Sequence, residues 1–104
     1  MAIRKERFSA VDISSKRRQG YLCYLKKLQS YHLFLRQDSQ DKITIMAKTP
    51  KYTIDIGSVP DNIIALIRPV MNRPENHFVF INDSHISGSK GLNYSLSLDI
   101  GWYA

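Results

Sequence analysis

The chain has a single cysteine in 104 residues, Cys23, and so cannot close an internal disulfide. That excludes a disulfide-stapled secreted scaffold and favours a reducing compartment. No apolar run approaches the ~20 residues that a membrane-spanning helix needs. The basic start, with Arg4, Lys5 and Arg7, lacks the apolar stretch of a secretory signal, so the expected address is cytoplasmic. Acidic residues are scarce in the first half. Residues 1–51 hold twelve Lys/Arg against Glu6, Asp12, Asp38 and Asp41, a net of +8. Residues 52–104 hold Arg68, Arg73 and Lys90 against five acids, a net of −2. Charge divided in this way suggests one surface that meets polyanions and another that holds the fold.

At this length one domain is expected, burying roughly 65% of the surface its unfolded chain exposes. Its 43% hydrophobic content against 23% charged residues is that of a globular chain rather than a disordered one. Neither an internal repeat nor a linker interrupts it.

Residues 1–15 mix charge, serine and isolated apolar residues. They read as a flexible basic arm or as a short edge strand docked by Phe8, Val11 and Ile13. Lys16–Gln29 reads as a helix capped by Ser14 or Ser15, with Tyr21, Tyr24, Leu25 and Leu28 as its apolar stripe. Gly20 and the Tyr21–Leu25 run leave a buried strand as the alternative. Three period-two runs follow. Tyr31, Leu33 and Leu35; Ile43, Ile45 and Ala47; and Tyr52, Ile54 and Ile56 predict a three-stranded meander with one apolar face. The loop lengths pair Arg36 with Lys42, Leu33 with Ile45, and Ala47 with Tyr52.

Gly57–Asp61 predicts a second helix capped by Ser58, with Ile63, Leu66, Ile67 and Val70 buried and an end or kink near Arg68 before Pro69. Asn72–Glu75 reads as a turn and His77–Ile81 as a strand. Asp83–Gly91 reads as a loop, and Leu92–Ile100 as the last strand, with an unprotected edge expected. The expected fold is a single small α+β domain. It has an antiparallel sheet of about five strands and two helices, in the order α-β-β-β-α-β-β.

The leading functional feature is a basic set with interleaved aromatics: Arg17, Arg18, Lys26, Lys27, Arg36, Lys42 and Lys48, with Lys51, near Tyr21, Tyr24, Tyr31, His32 and Phe34. Lys and Arg neutralise phosphates with counterion release, and exposed aromatics stack bases. The plainer reading is a solvated face with Tyr21 and Tyr24 in the core. The expected partner is nucleic acid, DNA or RNA, contacted along its backbone without strong sequence preference.

An acidic protein surface is the alternative partner. The chain is then a small inhibitor, as viruses direct at host enzymes, or an adaptor anchored by Phe34, Met46, Trp102 and Tyr103. The plainer reading of Trp102 and Tyr103 is that they fold back over the core, and a homodimer through the last strand or the Trp102 end is the further alternative. Membrane-surface binding by residues 16–28 is disfavoured, because their apolar stripe is needed by the sheet.

Catalysis has the least support. His77, Asp83 and His85 lack a second ligand cluster. Ser87–Gly91 could form a phosphate nest but precedes a strand rather than a helix. Cys23 reads as core. No cofactor is expected.

Overall fold

The computed structural model describes residues 2–40, 42–71, 79–89 and 93–103. In chain order these contain β1 (Ile3–Ser9), α1 (Lys16–Lys27), β2 (His32–Gln37), β3 (Ile43–Lys48), β4 (Thr53–Ser58), α2 (Asp61–Met71), β5 (Val79–Ser87) and β6 (Ser95–Tyr103). The chain is a small α+β domain with two helices, as expected. Its strands form two three-stranded antiparallel sheets, β1-β6-β5 and β2-β3-β4, instead of one sheet of about five. Among the described residues no helix is long and apolar enough to cross a membrane.

The extra strand is β1. Its sequence, IRKERFS, carries little apolar signal, and only Phe8 is buried. Pairing with β6, from Ile3↔Tyr103 to Ser9↔Ser97, supplies what its own pattern lacks. Beyond Ser9 the chain reaches the other sheet through one bridge, Val11↔Ser58. It then turns away at Asp12, whose φ of 61° is in the left-handed region that Asp tolerates better than most residues. That turn limits β1 and β4 to a single bridge and splits the sheet in two. On the opposite side β2 approaches β5.

Both hairpins of the meander pair two residues away from the predicted register. Leu33 faces Ala47, Leu35 faces Ile45, and Arg36 faces Thr44 rather than Lys42. Ala47 faces Ile54 rather than Tyr52. Side chains in the turns set these registers. The Asp38 carboxylate accepts from the backbone N–H of Gln40 and Lys42 at 2.8 and 2.9 Å. Thr49 Oγ1 accepts from the Tyr52 N–H at 2.9 Å and donates to its carbonyl at 3.1 Å. A shift of two keeps every side chain on its face, so hydrophobic patterning alone did not distinguish the registers. A bulge then shifts pairing between Ile45 and Met46.

α2 starts later than predicted, with Ile64 N–H donating to the Pro60 carbonyl at 3.0 Å. Ser58 does not cap it, because its backbone is paired with Val11. The helix continues through Pro69 to Met71, and Ile64 takes the buried place expected for Leu66, which is 45% exposed. β5 runs on to Ser87, so Asp83–Ser87 is strand rather than loop, with a bulge between Ile81 and Asp83. β6 is the central strand of its sheet, not an edge. The predicted turn Asn72–Glu75, the strand start at His77, Leu92 and the Lys90–Gly91 end of the loop lie outside the described residues. One core joins both sheets and both helices, with Leu22, Leu25, Ile45, Ile67, Leu98 and Ile100 essentially inaccessible.

Candidate nucleic-acid interface

α1 is the element that presents the candidate site, and its rotation decides which residues face outward. Ser15 caps it, accepting from the Arg18 N–H at 3.2 Å. The buried stripe is Gln19, Leu22 and Leu25, rotated from the predicted one. Gln19 Nε2 donates to the carbonyls of Ile13 and Tyr94, and its Oε1 accepts from the Tyr94 N–H, each at 2.7 Å. A glutamine among basic residues looks like solvent-facing sequence, so nothing in the pattern marked it as buried. With this stripe inward, Lys16, Arg17 and Lys27 point to solvent and Tyr21 and Tyr24 are half-buried on one flank.

Two of the seven predicted basic contacts are tied up by the fold. Arg18 places one guanidinium nitrogen 2.9 Å from both Asp55 oxygens and donates from the other to the Asp12 carbonyl at 2.7 Å. Its side chain is only 15% exposed, so it anchors α1 to β4. Lys26 donates to the Gly88 carbonyl at 2.6 Å and lies 5.8 Å from the Tyr94 ring centroid. Arg17, Lys27, Arg36, Lys42 and Lys48 are exposed, and none of the five has an ion-pair partner among the described residues.

Arg36 and Lys48 share the outer face of the β2-β3-β4 sheet. Lys48 faces His32, and the His32 and Phe34 rings stack at 6.3 Å with 19° between planes. The turn after Lys48 carries Lys51 and ends at Tyr52, which is 58% exposed and meets Tyr24 of α1 edge-on at 6.3 Å. Tyr21, Tyr24, Tyr52 and Ile54 line a mostly apolar concavity of about 280 Å³ at this junction.

The proposed protein anchors are placed less favourably. Met46 is buried on the outer face between Phe34 and Asp55, apart from the main core, and Trp102 is 5% exposed within that core. Phe34 and Tyr103 are half-buried, Tyr103 against Phe80 at 5.9 Å. Because β6 pairs on both sides, it has no open edge through which to dimerise.

The acids near His85 are also occupied. Arg7 of β1 donates to Asp99 of β6 at 2.7 and 2.9 Å and reaches Asp83 of β5 at 3.4 Å. The Arg7 hydrogen bond holds the Asp99 carboxyl below the usual carboxylate range. Among the described residues no three His, Cys, Asp or Glu side chains gather as a metal site. Gly88, at φ 122°, gives its carbonyl to Lys26. Cys23 is half-buried rather than core, with the Tyr94 hydroxyl 3.4 Å from its sulfur. No protein-family model, curated protein or solved structure matches the chain.

Proposed function

We propose that this protein works by binding rather than catalysis, and that its partner is nucleic acid held by the backbone in a reducing, cytoplasmic setting. The observation that carries this reading is the N-terminus of α1. A helix starts with partial positive charge, and cations there are unfavourable by about 0.3–1 kcal/mol each. α1 nevertheless opens with Lys16, Arg17 and Arg18 and no acid in its first turn. Asp55 neutralises Arg18 alone. A polyanion would relieve the rest.

The outer face of the β2-β3-β4 sheet adds Lys48 and Arg36, with Lys42 at the far turn. The phosphate contacts are therefore Arg17, Lys27, Lys48, Lys51, Arg36 and Lys42; Arg18 and Lys26 hold the surface in shape. Fluorescence-anisotropy titration of labelled DNA and RNA across a salt series tests this. Binding should weaken steeply with salt, and Lys27→Glu with Lys48→Glu should lower the log–log slope by about 1.5. Unchanged affinity in that double variant would overturn the assignment.

One observation favours a protein partner instead. Ile3, Phe80 and Tyr103 cluster on the outer face of the β1-β6-β5 sheet, where Ile3 is 50% exposed and opposite Tyr103. Phe80 lies over Gly101, where any Cβ would sit 2.7 Å from its ring. A partner anchored there would bind with little salt dependence.

A further inference from the structure

The concavity between α1 and β4 is lined by three tyrosines and one isoleucine, which is more than a charged track along a backbone requires. We infer that it is a slot for a single unpaired nucleobase, so that the protein prefers single-stranded nucleic acid to duplex. This inference rests on the nucleic-acid reading and adds the strand form to it.

Three observations carry it. The first is shape. Tyr24 and Tyr52 meet edge-to-face, at 68° between planes. In such a pair the ring that presents its edge keeps both faces clear of its partner, as a stacking platform requires. The volume, about 280 Å³, falls just under the ~300 Å³ at which sites for drug-sized ligands begin. That is ample for one planar ring system.

The second is charge. An aromatic cage of this kind would suit a quaternary ammonium if its rim were neutral or acidic. Here Arg17 lies one helical turn before Tyr21, Lys27 three residues after Tyr24, and Lys51 next to Tyr52. Among the described residues no carboxylate lines the slot, and Asp55, adjacent to Ile54 in the chain, is held by Arg18. A cationic guest is repelled, while a base whose flanking phosphates lie on Arg17, Lys27 and Lys51 is complemented on both counts.

The third is accessibility. Tyr52 is the most exposed large apolar side chain among the described residues, at 58%, and the fold makes little use of it beyond the contact with Tyr24. A base paired and stacked inside a duplex cannot reach such a slot; an unpaired one can.

The test measures anisotropy at one low salt concentration with three probes of equal length. These are a homothymidine strand, a strand of the same backbone carrying abasic sites, and a duplex. The homothymidine strand should bind at least tenfold more tightly than the abasic one. Tyr52→Ala should abolish that difference while leaving abasic and duplex affinities unchanged, and Tyr52→Phe should retain it. Equal affinity for base-bearing and abasic strands, with a steep salt slope, would overturn the slot and leave the backbone reading standing. No binding to any of the three probes would overturn both.

Discussion

Gln19 places its amide where three backbone groups converge, and it satisfies all three at 2.7 Å. Its side chain is 4% exposed, so an alanine there leaves the Ile13 and Tyr94 groups short of partners in a site with little access to water. Each unsatisfied buried group costs about 1–3 kcal/mol. Gln19→Ala should therefore destabilise the domain by roughly 3 kcal/mol, measured by urea unfolding with buried Trp102 as the fluorescent reporter. A loss below 0.5 kcal/mol would mean that water or backbone relaxation replaces the amide. Arg17, two residues earlier, predicts the opposite sign. It is exposed at the positive end of α1 without an ion-pair partner among the described residues, so Arg17→Glu should stabilise by about 0.3–1 kcal/mol while weakening nucleic-acid binding. Gain of stability with loss of affinity in one variant is expected where a residue is kept for binding at a cost to the fold.

At the scale of elements, the β1-β6-β5 sheet is stitched across its outer face by Arg7, Asp99 and Asp83. Asp83 and Asp99 sit directly opposite each other, a destabilising arrangement for like charges that Arg7 relieves from the next strand. Because the folded pKa of Asp99 is lowered, its contribution is fully present above the ordinary carboxylate value of about 3.9 and is lost as pH falls through the lower folded value. Urea midpoints between pH 5 and pH 2 should show this as an acid-side decline. The decline should be shallower in Asp99→Asn, which starts less stable at pH 5. An identical decline in both proteins would place the acid sensitivity elsewhere.

These elements also show what the sequence made legible. β2, β3, β4 and α2 followed from apolar periodicity because each buries one face of a regular pattern, whereas the span of α1 was legible but its buried face, Gln19, Leu22 and Leu25, was not. For β1 the sequence left an edge strand docked by Phe8 and a flexible arm both open, and the second half of β5 was not legible as strand, since an edge strand in a polar sheet face draws its order from its neighbour's hydrogen bonds. The exposed cations of the site were readable as charge. Removing Arg18 and Lys26 from it required knowing that Asp55 and Gly88 lie beside them across the fold.

At the scale of the whole molecule, the strands nearly close on themselves. β5-β6-β1 continues through the Val11–Ser58 bridge to β4-β3-β2, and β2 comes back beside β5 without a ladder joining them. Tyr31, His32 and Leu33 line one side of that open seam and Ile81, Asn82, Asp83 and Ser84 the other. Central strands can exchange their amide hydrogens only when the core opens, whereas unpaired edges open locally. β3 and β6 should therefore exchange at rates set by global unfolding, and β2 and β5 should include faster amides along the seam. The candidate binding surface borders both regimes. Lys48 is on β3, while His32, Phe34 and Arg36 are on the edge strand β2. If nucleic acid lies across this face, hydrogen exchange of the complex should slow amides in β2 and in the Thr49–Tyr52 turn, with little change in β6. Protection confined to the β1-β6-β5 sheet would instead place the partner on the Ile3, Phe80 and Tyr103 cluster.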